Sequence, residues 1–138
     1  MGIAQDPAAD ERPRGGGRPA LRAAGYLLLF ALGVLEGLIG SFQYGQPPTP
    51  LIAIVLVVII FATCLTAGWG IGTASAGLLP AAGWIIASFV LAMPRPNGSV
   101  IITGTAAGEW YLYGGALASL AGAVAMFFVR VTRVVRPR

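Results

Sequence analysis

LIAIVLVVIIFATCLTAGWGIGTASAGLLPAAGWIIASFVLAM, residues 51–93, holds no charged side chain. Its length suits two membrane spans of about 20 residues each joined by a tight turn, because a helix rising about 1.5 Å per residue must cross about 30 Å of hydrocarbon. The glycines place that turn: Gly68, Gly70 and Gly72 surround Trp69, an aromatic that favours membrane interfaces. The expected spans are 51–68 and 73–93, with Pro80 inside the second. A kink there is tolerated in lipid when neighbouring groups satisfy the freed carbonyl.

Working outward, Pro47, Pro48 and Pro50 interrupt any helix over residues 45–50, since proline lacks the amide donor and clashes with the preceding turn. The apolar stretch 23–44 before this loop is then a further span. It exceeds the core of a signal peptide and has no small-x-small cleavage site, so it is expected to stay as an anchor. Residues 1–22 are rich in Pro, Gly and charge and are expected to be a disordered cytoplasmic tail. On the other side, Pro94, Arg95, Pro96, Asn97 and Gly98 form a strong turn signal. Residues 99–105 are β-branched and too short to span, which predicts an ordered external loop or re-entrant flap. Asn97, Gly98 and Ser99 match a glycosylation acceptor, but Asn-Gly is a preferred turn pair and the turn is the favoured reading. A last span over 108–129 opens with Glu109, Trp110, Tyr111 and Tyr113 at one interface and ends at Arg130, leaving 131–138 as a basic tail.

A chain that is 57% hydrophobic and 10% charged lies outside the range of ordinary soluble domains. The expected fold is all-α: a polytopic membrane protein with four transmembrane helices in a single domain, residues 23–130. Arginines set its orientation. Arg12, Arg14, Arg18 and Arg22 precede the first span, Arg130, Arg133, Arg136 and Arg138 follow the last, and Arg95 alone lies on the opposite side. By the positive-inside rule both termini are cytoplasmic, which requires an even number of spans. Arg130, Arg133 and Arg136 recur at every third place, a pattern suited to lipid headgroup contact and to stopping transfer. Basic side chains confined to the ends do not make the folded basic face that nucleic acid requires.

Glu36 stands alone among uncharged residues from 23 to 94. A carboxyl within hydrocarbon costs a few kcal/mol, so such residues face a bundle interior, pair, or mark an ion path. Gly33, Glu36, Gly37 and Gly40 fall at i, i+3, i+4 and i+7, which puts them on one face of the first helix and predicts close approach of a second helix there. Two roles follow for Glu36: a structural hydrogen bond to a Ser, Thr, Tyr or backbone carbonyl of the facing helix, fixing registry, or proton or ion coupling. In the last helix Gly115, Ser119 and Ala123 form one small-residue row and Gly114, Ala118 and Gly122 its neighbour, both expected to pack internally. Trp84, unusual in mid-span, is expected to fill space opposite the glycine-rich faces. Arg95 and Glu109 are placed at the external mouth, where Glu109 complements the helix dipole and is within the loop's reach of Arg95. Cys64 is the single cysteine and there is no histidine, so thiol-imidazole, zinc and haem chemistry lack their usual groups. No enzyme activity, metal or cofactor is expected, and Cys64 is expected to be a small packing residue.

Gly104, Thr105, Ala106, Ala107 and Gly108, followed by Tyr111, Leu112, Tyr113, Gly114 and Gly115 in an arginine-only, Ala/Gly-rich chain, resemble small uncharacterised four-span membrane proteins of actinobacteria. That resemblance implies a multi-pass plasma-membrane location and no particular chemistry. The expected role is an accessory or packing subunit of a membrane assembly, with the lipid bilayer and a membrane-protein partner or homo-oligomer as contacts. The alternative is a proton-coupled small-molecule or ion transporter that uses Glu36.

Overall fold

The computed structural model describes residues 17–135, with side chains at 19–126, 128, 129 and 132. Its elements are α1 (Gly17–Gln43), α2 (Leu51–Ile71), α3 (Ala74–Ala92), α4 (Ala106–Glu109), a π turn over Trp110–Gly114, and α5 (Gly115–Val135); there is no strand among the described residues. The last three form one continuous rod, because the junction residues Trp110 and Gly115 keep right-handed helical dihedrals. Three stretches, Pro19–Gln43, Leu51–Ile71 and Ala74–Ala92, are long and apolar enough to cross a membrane, with mean hydropathies of 1.8, 2.8 and 1.8.

Several boundaries differ from the sequence expectation. Helix α1 begins at Gly17, inside the stretch expected to be a disordered tail. Pro19 falls in its first turn, where a missing N–H breaks no intrahelical bond; residues 1–16 lie outside the described residues. Helix α2 continues through Gly68 to Ile71, and the turn sits instead at Gly72, whose φ of 72° is left-handed and whose N–H bonds to the Gly68 carbonyl. Helix α5 covers 131–135 of the expected basic tail. Arg136 lies outside the described residues, as do the side chains of Arg130 and Arg133, so the expected headgroup contact falls there.

Helix α1 lies along α3, while α2 and α5 pack on each other and on α3, leaving α1 and α2 only sparsely in touch. Glycine sets the α1–α3 distance reciprocally. A Cβ at Gly33 would run into the Pro80 carbonyl, and one at Gly83 would run into the Phe30 carbonyl and lie 2.9 Å from the Val34 nitrogen. Behind α3, a Cβ at Gly77 would stand 2.8 Å from the Cys64 carbonyl oxygen and one at Gly122 would stand 2.7 Å from that of Phe61. Cys64, fully buried, is thus a small residue between closely approaching backbones. Trp84 fills the centre, its ring lodged where a Gly115 side chain would be.

Leu21 and Arg22 share a cleft with Ile71 and Thr73, and Gly68 packs on Met126, so α1 starts at the end of the bundle where α5 finishes. Tyr44, Pro50, Thr103 and Trp110 gather at the other end. Trp69 and Trp110, both exposed, mark opposite ends, as interfacial aromatics do.

The two kinds of glycine should separate cleanly on mutation. Gly83→Ala drives a methyl into rigid backbone and should lower stability by about 1–3 kcal/mol or more. Gly25→Ala, with nothing within 4 Å, should leave stability unchanged or raise it by up to about 1 kcal/mol through alanine's better helix propensity. Thermal unfolding of the two purified variants in mild detergent checks this, and equal midpoints would refute the α1–α3 contact.

Candidate functional site

Backbone carbonyls and hydroxyls converge where α1, α3 and the π turn meet. The Gly37 carbonyl accepts from Ser41 Oγ at 2.6 Å and from the Tyr111 hydroxyl at 3.0 Å. Since Tyr111 has one proton to give, Ser88 Oγ, 3.3 Å away, is the donor in its contact with the Tyr111 oxygen. Tyr111 reaches this point because Gly40 carries no side chain: a Cβ there would collide with its hydroxyl. Its ring stacks on Tyr44 at 5.6 Å and meets Trp84 edge-on at 5.3 Å. Tyr111 lies within the π turn, a one-turn irregularity that re-aims side chains and recurs at functional positions.

Glu36 lies on the flank of this cluster. At about 100° per residue it falls at one edge of the arc through Gly33, Gly37 and Gly40, on the side of Gly40 away from Gly37. The three glycines therefore face α3 and Tyr111, whereas Glu36 turns towards α2. The common face expected from the spacing divides between two partners. Thr63 Oγ1 of α2 donates to Glu36 Oε1 at 2.6 Å, bridging the helices that otherwise scarcely touch. Oε2 is buried with no hydrogen-bond partner among the described residues. The buried hydroxyls of Ser41, Ser88 and Ser119 all have partners, so this oxygen is the exception. Glu36 also lines a cavity of about 130 Å³ walled by Ile39, Leu56, Ile59, Trp84 and Tyr111.

Larger clefts lie towards the two ends of the bundle. One of about 550 Å³ at the Tyr44 end is lined by Tyr44, Thr49, Thr103, Thr105 and Trp110 among others. One of about 320 Å³ at the opposite end includes Arg22, Tyr26 and Thr73. Tyr44 lines the first cleft and Tyr111 the Glu36 cavity, so their stacked rings form the partition between the two. Tyr44 also ties down the loop before α4: the Thr103 N–H donates to its oxygen at 2.9 Å, and Thr103 Oγ1 lies 3.1 Å from it. Residues 99–105 are thus an ordered loop, with Ile102 buried. At its start Asn97 Oδ1 accepts from the N–H and hydroxyl of Ser99, and Gly98 has a φ of 77°, an Asn-Gly turn.

Arg95 and Glu109 are exposed and no ion pair joins them among the described residues. Neither lines the cleft of Tyr44 and Thr103; Glu109 instead lines a separate cleft of about 280 Å³ with Ala106, Trp110 and Tyr113. Thr105 caps α4 by accepting from the Gly108 N–H, with Glu109 in the first turn. Gly115 and Ser119 face inward: the first holds the Trp84 ring, and the second, fully buried, bonds to the Ala116 carbonyl. Tyr111 was grouped with the interfacial aromatics by sequence, yet it is 1% exposed while its neighbours Trp110 and Tyr113 face outward. Gly40 and Ser41, consecutive small residues on α1, are the trace it leaves in the sequence. Among the described residues no three His, Cys, Asp or Glu side chains are grouped to hold a metal.

Among the described residues, fold and site define an all-helical protein with helices long and apolar enough to cross a membrane and a half-buried carboxyl within one of them, beside a small cavity. The chain belongs to a family of unknown function (DUF6113), whose model matches residues 11–135. No curated protein and no solved structure matches it.

Tyr44→Phe removes the acceptor of the Thr103 N–H and should release the loop. Hydrogen exchange over residues 100–105 should quicken by tenfold or more, in line with the loss of a net hydrogen bond of about 1–1.5 kcal/mol. Tyr113→Phe, altering an exposed ring, should leave exchange unchanged.

Proposed function

We propose that this chain is a four-span protein of the plasma membrane, with both termini cytoplasmic and no catalytic activity, that works as a proton-coupled transporter of a small molecule or ion through Glu36. The observation that carries this reading is the unpartnered Oε2 of Glu36, a residue of the Pro19–Gln43 span that also lines the small cavity between α1, α2 and α3. Fixing helix registry needs only the bond to Thr63; a second oxygen held out of water and left without a donor is an added cost of the kind that intramembrane ion and proton sites bear. The cleft at the Tyr44 end is separated from that cavity by the Tyr44–Tyr111 stack, which would act as its closure on that side.

The α4, π and α5 rod is the fourth span in this reading. It returns the chain to the end where α1 began, which agrees with the arginine asymmetry and an even number of crossings. The resemblance to four-span actinobacterial proteins supports the plasma-membrane location.

A second reading, an accessory or packing subunit of a membrane assembly, is favoured by one feature. Leu28, Leu32, Leu35, Ile39 and Phe42 of α1 are all exposed at alternating spacings of four and three, the seam of a helix pair. Lipid, a partner protein or a second copy would each suit that stripe. By contrast, the small-residue rows of α1 and α5 are already consumed inside the bundle.

Reconstitution separates the readings. In liposomes containing a pH-sensitive dye, an imposed gradient of sodium, potassium or a small organic cation should drive proton counterflow that Glu36→Gln lowers at least tenfold. The Gln side chain keeps an oxygen for Thr63, so helicity and gel-filtration profile should be unchanged. Full counterflow through the folded Gln variant, or none dependent on Glu36 under any gradient, sinks the transport reading. A stoichiometric partner retained on mild-detergent purification would then favour the second.

A further inference from the structure

The cleft of about 320 Å³ at the end where α1 begins is lined by Leu21, Arg22, Gly25, Tyr26, Ile71 and Thr73 and does not include Glu36. We infer that it seats the headgroup phosphate of an anionic phospholipid, with an acyl chain laid along exposed leucines of α1. This needs the helices to lie in a bilayer and takes nothing from the transport reading. The polar side of the cleft supplies charge and protons. Arg22 and Tyr26 are one turn apart on α1 and so share a face, where Thr73 of the α2–α3 turn meets them. Arg22 is exposed and pairs with no carboxylate among the described residues: Glu36 lies about 21 Å further along the helix, at 1.5 Å per residue, and Glu109 lines a cleft at the opposite end. The Tyr26 hydroxyl stands 3.5 Å from Thr73 Oγ1, a long contact that uses at most one of the two hydroxyl protons. Thr73 precedes α3 yet makes no capping bond through its side chain. A cation and at least one free hydroxyl proton therefore face the same space, the set that a phosphate oxygen accepts from.

The apolar side selects a lipid over a free phosphate. Leu21, Gly25, Leu28 and Leu32 fall at i, i+4, i+7 and i+11, one face of α1, and the three leucines are 76%, 70% and 42% exposed. From the cleft, this hydrocarbon stripe runs towards the middle of the span. A free phosphate gains nothing from it, whereas a phospholipid places its phosphate at Arg22 and a chain against Leu28 and Leu32. Gly25 leaves the way between them open. A Cβ at Gly33, Gly37 or Gly40 would collide with a neighbour, but one at Gly25 meets nothing within 4 Å. No packing contact calls for glycine there, although glycine costs a helix about 1 kcal/mol relative to alanine.

Native mass spectrometry of the full-length protein in mild detergent, titrated with dioleoyl phosphatidylglycerol, should show a first lipid that binds saturably. Arg22→Gln and Gly25→Leu should each raise its midpoint about fivefold or more. Gly70→Leu adds the same side chain at another glycine with open space, outside the cleft, and should leave the midpoint unchanged. Because Gly25→Leu alters no charge, a loss there separates a seated lipid from diffuse attraction to the arginines. Dioleoyl phosphatidylcholine should bind about fivefold more weakly or worse, and sn-glycerol 3-phosphate at the same concentration should displace none of the bound phosphatidylglycerol. Three results each overturn the inference: a midpoint unmoved by Arg22→Gln or by Gly25→Leu in variants that keep the parent's helicity, equal affinity for phosphatidylcholine, or displacement by the soluble phosphate.

Discussion

The contact between the α1 and α3 backbones, glycine against carbonyl in both directions, governs the rest of this structure. Lipid tails are as apolar as leucine, so there is little hydrophobic gain in bringing two helices together inside a bilayer; dispersion at close range has to hold them. Gly33 on Pro80 and Gly83 on Phe30 allow that range. The same choice commits α1 to one partner and leaves it nearly free of α2. A gap between α1 and α2 is the geometric consequence, and the cavity beside Glu36 occupies it.

Among the described residues, the one side-chain hydrogen bond across that gap is Thr63 to Glu36. It ties the two loosely apposed helices through one oxygen of the carboxyl and leaves the other without a hydrogen-bond partner among the described residues. The π turn belongs to the same arrangement. A regular helix through 110–114 would carry Tyr111 at another angle, whereas the extra residue in the turn brings its hydroxyl to the Gly37 carbonyl one residue along from Glu36. The rigid side of the cavity is thereby built by an aromatic cluster, and the loose side by the sparse α1–α2 contact.

Much of the helical architecture was legible because lipid imposes strong rules: uncharged stretches of fixed length, prolines between them, and tryptophans near the ends. The position of the turn between α2 and α3 was less so. Gly68, Gly70 and Gly72 present the same letter for different reasons, and only Gly72 needs its left-handed φ, while Gly68 gives room to Met126. Glu36 announced itself by being charged. Its partner Thr63 did not, since a threonine in an apolar helix is ordinary, and which of several helices faces which is a tertiary fact. Tyr111 was hidden among aromatics that do sit at the interface, and periodicity alone carries no mark of a π turn.

Glycine at Gly33, Gly37 and Gly40 reads as a motif for association, and the structure turns it inward to α3 and Tyr111. The outward face of α1 is then left to leucines, which lipid accepts without cost. A chain assembled mainly to dock on a neighbour gains most by presenting its small residues outward, where close approach is worth most in a bilayer. This chain uses them for contact with α3 and Tyr111, beside the acid that lies within its first candidate span. That allocation, more than the acid alone, favours a function located inside the bundle.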